Sequence, residues 1–377
     1  MHRFADFRPV LRLCLCLPPD AAADDVRAAL ACGATSLWFR RGSLDGDAFH
    51  ARFLFLRALC PASLPCLADA PAGSVPADGF VAESSQDASR SLSPAPARPL
   101  GIRVGSVTEA LAAERAGADF LLAHSGASPD ALHAMCASVD IPVVAGIDPD
   151  SAAAAFPVGS GAAGVCVRTL PRRKSVLDSL PGLARAVAET PPEPRRGALV
   201  DMDGTVLDSL DVWTDLDREI VERHRIPNAE EVLGFLNTVV HIREGTAYLH
   251  EKCGIGDSEE AVFQECRDIL FDHYAHRIPL MPGAREALER LRAEGVRLAL
   301  VTATEEELAR AALRRNGVEP LFDHFYCNVS KRRPEALLQV LDSLGTGVRE
   351  TMVYDDMDSV REMAESIGFQ AKPGLSR

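Results

Sequence analysis

The second half of the chain contains a short acidic segment, Asp201-Met202-Asp203-Gly204-Thr205, directly after an apolar run that ends at Val200. Two carboxylates separated by one residue leave the carboxyl end of a strand on the same side. In an open α/β sheet, this end of a strand is where ligands bind. Gly204 permits a tight turn, and Thr205 offers a hydroxyl and a backbone N–H. The segment therefore indicates a loop that could carry chemistry.

Further polar residues follow the later apolar runs of this half. They are Thr302, Lys331, Asp355 and Asp356. Because strand ends meet at one edge of a parallel sheet, three or four carboxylates, one ammonium and one hydroxyl are expected around a single point. Such a set suits phosphoryl transfer, in which one carboxylate acts as nucleophile and a second as general acid and base. Carboxylates also hold Mg²⁺, while a lysine and a hydroxyl bind phosphoryl oxygens.

The elements that would position these residues can be predicted from the sequence pattern of the second half. The first strand is expected at Ala198–Met202, and the stretch from about 210 to 278 is helical and acidic. Beyond Met281, helices and strands alternate at Ala284–Glu294, Arg297–Thr302, Glu305–Asn316, Phe325–Asn328, Arg333–Leu344, Thr351–Tyr354 and Ser359–Ile367. The pattern predicts an open α/β sheet that is interrupted after its first strand by a helical insert.

These motifs resemble the haloacid-dehalogenase (HAD) superfamily of phosphohydrolases, whose four motifs appear here in order. They are Asp201-Met202-Asp203-Gly204-Thr205, Thr302, Lys331-Arg332-Arg333-Pro334-Glu335 and Asp355-Asp356, and Met281-Pro282-Gly283 matches the family's return from a helical cap. The resemblance implies a Rossmann-like core with an α-helical cap at about 210–279. It also implies that Asp201 is the nucleophile and Asp203 the general acid and base, while Thr302 and Lys331 bind phosphate. The metal, Mg²⁺, would be held by Asp201, the backbone carbonyl of Asp203, and Asp355.

Some positions depart from the family pattern or allow a second interpretation. Tyr354 replaces the usual glycine, and Ser359 stands where an acid is expected, with Asp358 one place early. The contribution of Asp356 or Asp358 therefore stays open, since Asp356 could equally be an acid that favours a helix start. Thr302 could instead cap the helix that follows, where Thr304 competes for the same position. In the predicted cap, His241 and Arg243 could contact the substrate or form an ordinary exposed pair.

The first half is alanine-rich and alternates between strand and helix patterns. Strands are predicted at Val10–Leu17, Thr35–Arg41, Leu64–Asp69, Gly79–Ala82, Pro99–Val104, Asp119–His124, Ile141–Ile147 and Ala163–Val167. Helices are predicted at Ala21–Ala31, Asp47–Cys60, Val107–Ala116, Pro129–Ser138, Asp150–Ala155 and Ser175–Glu189, whereas the prolines and glycine of Ala70–Ala77 predict none. Eight such strands predict a closed (β/α)₈ TIM-type barrel. The predicted domains are a barrel at 1–189, a proline-rich linker at 190–196 and a phosphatase domain at 197–377.

Three segments of the barrel resemble thiamine-phosphate synthase: Ala77–Phe80, Gly105–Asp119 and Ile141–Ile147. The functional residues of that family are changed here. At those positions this chain has Arg40-Arg41-Gly42, Ala68-Asp69, Ser84-Ser85-Gln86-Asp87 and His124-Ser125-Gly126-Ala127-Ser128. The resemblance therefore implies a degenerate barrel. A phosphate site could survive near Gly146 and Val167–Thr169, and Asp69 alone is interpreted as a strand-end cap.

Composition limits the remaining functions. The chain has 377 residues and a formal net charge of −14, of which the part beyond residue 196 carries −13. This balance argues against a nucleic-acid partner, and no apolar run is long enough to cross a membrane. The ten cysteines form no C-x-x-C pair, and the N-terminus lacks a secretion signal, so the expectation is a cytoplasmic protein with reduced thiols.

The sequence thus predicts a Mg²⁺-dependent phosphatase that acts on a small-molecule phosphomonoester. The barrel resemblance makes thiamine monophosphate a natural substrate hypothesis. Three alternatives stay open: a phosphomutase, a bifunctional thiamine-phosphate synthase and phosphatase, and a phosphatase regulated by a ligand-sensing barrel. The sequence does not indicate the oligomeric state.

Overall fold

The computed structural model describes residues 8–69, 75–87, 98–148, 157–168, 174–238 and 242–375. The chain divides into two compact units. One comprises the residues up to Arg196 together with Leu338–Thr351, and the other comprises Gly197–Leu337 and the residues from Met352 onward. Among the described residues, none of the helices has the length and apolar character needed to cross a membrane.

The strands of the first unit close into a parallel barrel, as predicted. Strands β1 to β8 are Leu13–Leu17, Ser36–Phe39, Cys66–Asp69, Gly79–Ala82, Leu100–Val104, Phe120–Ala123, Val143–Ile147 and Gly164–Val167. Each strand pairs with the next, and β8 pairs with β1 so that Leu13 lies opposite Val165. The buried cluster that includes Cys14, Trp38 and Phe120 gives the barrel an apolar core.

The helices of this unit are Arg8–Leu11, Ala23–Ala31, Gly46–Arg57, Val107–Arg115, Pro129–Ser138 and Lys174–Glu189. Three of them begin at a side chain that caps the helix, because Asp45, Ser106 and Ser128 each accept a hydrogen bond from a backbone N–H of the first turn. The predicted strand at Val10–Leu17 was too long at its start, since Arg8–Leu11 is helical. The predicted helix Asp150–Ala155 and residues 70–74 lie outside the described residues.

The second unit contains a sheet of five strands, which are β9 (Gly197–Val200), β10 (Arg297–Val301), β11 (His324–Tyr326), β12 (Thr351–Tyr354) and β13 (Gln370–Lys372). Their order in the sheet is β11-β10-β9-β12-β13. The pairings of β10 with β9 and β11, and of β12 with β13, are parallel. Strand β13 was not predicted, because three residues with polar ends give no alternating apolar pattern. The predicted Rossmann-like α/β core is confirmed.

The helical insert follows β9 and forms the cap. Its helices are Val212–Arg223, Ala229–Leu236, Ile242–Glu251 and Glu259–Asp272, followed by a π-helix at His273–Arg277. The helices that follow the cap along the chain are Ala284–Ala293, Glu306–Arg315, Pro334–Leu344 and Asp358–Ser366. The segments that enter and leave the cap pair with each other, because Asp208 N donates to Pro279 O at 3.0 Å and Met281 N donates to Val206 O at 2.9 Å. This pairing ties the cap to the start of the core.

Candidate active site

Strand-end residues of the second unit are held by hydrogen bonds that continue the sheet. Asp201 follows β9, and its N–H donates to Tyr354 O at 2.9 Å. Asp355 follows β12, and its N–H donates to Lys372 O at 3.1 Å. The N–H of Thr302, after β10, donates to Tyr326 O at 2.9 Å. The parallel sheet therefore presents these three predicted residues at one edge.

Lys331 lies between two of the carboxylates. Its Nζ donates to Asp355 Oδ2 at 2.6 Å and to Asp201 Oδ1. The exposed fraction is 9% for Lys331, 6% for Asp201 and 1% for Asp355, so the three charges are withdrawn from solvent. The structure thus brings together three of the residues predicted from separate motifs.

Burial sets the protonation behaviour of this cluster. Desolvation, together with the charge of Asp355, raises the pKa of Asp201 to about 7 against the opposing attraction of Lys331. Burial acts to lower the pKa of Lys331, but the carboxylates of Asp201 and Asp355 outweigh it, and the net effect raises that pKa. The ammonium therefore stays charged at neutral pH, while Asp201 is poised to exist in either form.

Asp356 joins the same cluster, which the sequence left open. Carboxylate oxygens of Asp201, Asp355 and Asp356 lie within 4.8 Å of one another. Burial and the nearby charge of Asp355 raise the pKa of Asp356. Asp358 instead forms an ion pair with Arg361, one helical turn away, and its side chain is exposed. Of the two acids, Asp356 is the one that faces the cluster.

Gly204 makes room for this arrangement. Its φ is +80°, a conformation that favours glycine, and a Cβ at this position would lie 2.6 Å from Asp356 Oδ2. Thr205, the next residue, is buried, and its hydroxyl has no hydrogen-bond partner among the residues that the structure describes. The glycine of the first motif is therefore required by both backbone conformation and space.

The carboxylate of Asp203 is held by three hydroxyl groups. Ser209 Oγ donates to Asp203 Oδ1 at 2.6 Å, and Tyr274 OH donates to the same oxygen at 2.8 Å. Thr304 Oγ1 donates to Asp203 Oδ2 at 2.7 Å. Burial and the charge of Asp203 raise the pKa of Tyr274, which therefore keeps its proton. Sequence reasoning missed these three donors as site residues, and Tyr274 carried no motif signal at all.

Thr302 is buried at 1% exposure, and its hydroxyl accepts a hydrogen bond from Thr304 N at 3.1 Å. The helix that follows has Glu305 at its N-cap position, with no side-chain hydrogen bond to the first turn. Neither threonine caps this helix, so the helix-cap interpretation was wrong for both. Thr302 remains available for the predicted contact with a phosphoryl group.

The sequence suggested two cap residues, Arg243 and His241, as possible substrate contacts, and the structure describes one of them. Arg243 forms an ion pair with Glu260 at 3.0 Å, and its guanidinium lies 3.9 Å from the ring centroid of Phe263. His241 lies outside the described residues. Arg243 is thus engaged by Glu260 and Phe263 within the cap.

The strand ends of the barrel are occupied by contacts within the barrel itself. Asp69 accepts hydrogen bonds from Trp38 Nε1 at 2.8 Å, Arg41 N at 2.8 Å and Arg40 Nε at 3.3 Å, as expected of a strand-end cap. Arg40 also reaches Glu83 Oε1 at 3.0 Å. Ser84 Oγ donates to Asp87 Oδ2 at 2.7 Å, which is a local contact. These acids are therefore already paired with protein donors.

At the predicted barrel phosphate site, the structure describes only part of the residues. Arg168, after β8, donates to Ser125 Oγ at 3.2 Å. Gly146 lies in β7, where a Cβ would meet Ala123 O at 2.3 Å, so its glycine is explained by close backbone packing. Thr169 lies outside the described residues. Close strand packing thus accounts for Gly146 without a bound phosphate.

Comparison with known proteins gives matches for both halves. A family model described as haloacid dehalogenase-like hydrolase matches residues 196–368. The chain is 30% identical over 181 residues to a phosphorylated carbohydrates phosphatase of Thermotoga maritima, covering 47% of this chain and 83% of the relative. It is 27% identical over 189 residues to a phosphoglycolate phosphatase of Pseudomonas putida, covering 46% of this chain and 67% of the relative.

A solved structure similar to part of the chain is that of a thiamine phosphate pyrophosphorylase from Pyrococcus furiosus. It has 25% sequence identity and a TM-score of 0.42, and the match covers 48% of this chain and 99% of that chain. The family model, by contrast, falls on the segment that contains Asp201, Lys331 and Asp355.

Proposed function

The chain belongs, through residues 196–368, to the haloacid dehalogenase-like hydrolases, and on this premise we propose that it is a Mg²⁺-dependent phosphatase of small-molecule phosphomonoesters. The observation that carries the proposal is the buried contact of Lys331 with Asp201 and Asp355, beside the carboxylate of Asp356. This set combines a nucleophile with groups that neutralise phosphoryl charge.

In the proposed reaction, a carboxylate oxygen of Asp201 attacks the phosphorus atom of the substrate. The bond between phosphorus and the leaving oxygen breaks, and Asp203 supplies the proton that this oxygen needs. Asp203 then takes a proton from a water molecule, which attacks the phosphorus of the aspartyl-phosphate. Phosphate leaves and the carboxylate of Asp201 is restored. Lys331 and Thr302 bind phosphoryl oxygens during both steps.

The donor set fits a hard divalent cation. Asp201, Asp355 and Asp356 offer carboxylate oxygens within 4.8 Å of one another, and oxygen ligands are those that Mg²⁺ prefers. With all three ionised, the single ammonium of Lys331 leaves excess negative charge that would repel a phosphate group. These side chains, with the backbone carbonyl of Asp203, would hold Mg²⁺, which when bound supplies positive charge between the anionic nucleophile and the anionic substrate.

The substrate class follows from the relatives. Those named above act on phosphorylated carbohydrates and on phosphoglycolate, so we propose a small phosphorylated carbohydrate or hydroxy acid as substrate. Thiamine monophosphate is the second candidate and rests on the barrel resemblance. We further propose that the catalytic domain is 197–377 and that the barrel at 1–189, which precedes it along the chain, is no longer a synthase, because Asp69 is already bound by Trp38, Arg40 and Arg41.

A phosphate-release assay on the full chain tests the proposal. The panel comprises phosphoglycolate, several sugar phosphates and thiamine monophosphate, each with Mg²⁺ and with EDTA. We expect turnover that requires Mg²⁺ and that Asp201→Asn lowers at least ~10³-fold, while the exposed control Asp257→Asn keeps it. Conversion of a sugar phosphate to an isomer without stoichiometric phosphate release would identify a phosphomutase instead. Turnover that survives in Asp201→Asn would refute the covalent mechanism.

A further inference from the structure

A tyrosine at the end of the cap contacts the proposed general acid and base. Tyr274 lies in the π-helix His273–Arg277, where Ile278 N donates to His273 O at 3.0 Å across five residues. Its side chain is 2% exposed, and its hydroxyl donates to Asp203 Oδ1 at 2.8 Å. π-Helical turns are rare and are frequently found at functional sites. The wide turn here belongs to the segment that leaves the cap.

Packing of the ring does not explain why residue 274 carries a hydroxyl. Tyr274 belongs to the buried apolar core of the second unit, and a phenylalanine ring would fill the same volume. The hydroxyl adds only a polar group, which is costly to bury without a partner. Its partner is the carboxylate of Asp203, which also accepts from Ser209 and Thr304. The two cap linkers and the core thus each contribute one donor.

We propose that Tyr274 is a positioning residue, whose hydroxyl holds Asp203 in the orientation that delivers a proton to the leaving oxygen. This inference rests on the proposed function. Asp203 can protonate a leaving group only if one oxygen is aimed at it, and small misplacements of a catalytic group are costly. Hydrogen bonds from Ser209 and Tyr274 to Asp203 Oδ1 restrict rotation of the carboxyl group, and loss of the bond from Tyr274 weakens that restriction.

The experiment compares two kinds of leaving group in Tyr274→Phe. Alkyl phosphates such as phosphoglycolate need protonation of a poor leaving oxygen, whereas p-nitrophenyl phosphate releases a stable phenolate without it. We expect kcat/KM for the alkyl phosphate to fall about 10-fold or more, and that for p-nitrophenyl phosphate to fall less than about 3-fold. The parameter kcat/KM is used because it reports steps up to departure of the leaving group. The ratio of the two substrates does not depend on how much of the sample is folded.

Two further variants complete the test. Tyr248→Phe removes a hydroxyl elsewhere in the cap, from a ring that stacks on Phe235 with centroids 4.0 Å apart. This variant should leave kcat/KM unchanged for both substrates. In Asp203→Asn, adding Tyr274→Phe should have no further effect on the alkyl phosphate, since the group that it positions is gone. A full additional loss in the double variant would overturn the proposal.

Equal losses on both substrates in Tyr274→Phe would indicate a merely structural residue, and no loss would show that the hydroxyl is dispensable. Either result overturns the role of Tyr274 while leaving the phosphatase intact. The proposed function itself fails in a different way, because then the unsubstituted chain would turn over none of the phosphomonoesters in the presence of Mg²⁺.

Discussion

Replacing the proposed nucleophile should make the protein inactive and, at the same time, more stable. Asp201 is 6% exposed, and desolvation raises its pKa to about 7 even with Lys331 beside it. The folded state therefore disfavours the ionised carboxylate, and Asp201→Asn removes that unfavourable charge. Lys331 keeps its contact with Asp355, so the substitution leaves no buried charge without a partner.

The size of the effect follows from the shift. A carboxyl whose pKa rises from 3.8 to about 7 costs the folded state about 4 kcal/mol when fully ionised. This net shift already includes the attraction and the hydrogen bond of Lys331, so the lost contact needs no separate subtraction. At pH 8 in EDTA, Asp201→Asn should therefore raise the free energy of unfolding by up to about 4 kcal/mol.

The pH dependence has a definite sign. Because the folded-state pKa is raised, the stability that Asp201 contributes is fully present below pH 4 and is lost as the pH rises through 7. The unsubstituted protein should thus lose about 2 kcal/mol between pH 5.5 and pH 8 through this group. The stability advantage of Asp201→Asn should shrink by the same amount at pH 5.5.

Urea unfolding in EDTA at pH 5.5 and pH 8 measures the stability difference between Asp201→Asn and the unsubstituted protein. Both proteins carry Trp38→Phe, so that fluorescence reports Trp213, which is in the second unit and is the other of the two tryptophans. Asp257→Asn, an exposed aspartate, serves as the matched control and should leave the unfolding curve unchanged. If Asp201→Asn is less stable than the unsubstituted protein at pH 8, attraction to Lys331 outweighs burial and the reasoning is wrong.

Other predictions follow from neighbouring contacts. Lys331→Met should lower kcat/KM about 10²-fold or more. It should also lower the free energy of unfolding in EDTA by about 3 kcal/mol, because two buried carboxylates lose their counter-ion. Mg²⁺ should restore part of that stability, which urea unfolding with and without the ion measures. Asp356→Asn should raise the Mg²⁺ concentration for half-maximal activity about 10-fold, whereas Asp358→Asn should not change it; a Mg²⁺ titration of turnover that shows equal shifts would contradict this. Burial raises the pKa of Asp217 in the cap to about 6, so its stability contribution is lost as the pH rises through 6. Asp217→Asn should therefore be more stable by up to ~1 kcal/mol at pH 7.5, after allowance for solvent screening, and the difference should vanish near pH 4 in thermal unfolding.

Much of the architecture was predictable because its signals are local. Strands β4 and β12 and the helix Pro129–Ser138 occur with the predicted bounds, since apolar runs and a Ser-Pro helix start specify them. Errors occurred at element ends, as at Leu13, where apolar residues continue from a short helix into a strand. An apolar run alone does not distinguish these two conformations.

The meeting of Asp201, Lys331 and Asp355 was also predictable. Parallel strands joined by helices present their carboxyl ends on one edge, so polar residues directly after Val200 and Tyr354 must converge. Each lies within a few residues of a strand that its own neighbours specify. Once local patterns predict the strands, the parallel topology of the sheet therefore predicts that these residues meet at one site.

Only the tertiary structure decided between Asp356 and Asp358, and only it placed Tyr274 on Asp203. The first choice depends on where the helix Asp358–Ser366 begins, because Asp358 lies in its first turn and pairs with Arg361 of the same helix. The second depends on packing between residues 71 positions apart in the chain. The sequence pattern of the cap predicts where its helices form, but it does not predict where they pack. Amphipathic patterns specify which face of a helix is buried, but not which partner covers it, and that partner determines the hydrogen bonds of the acid and base.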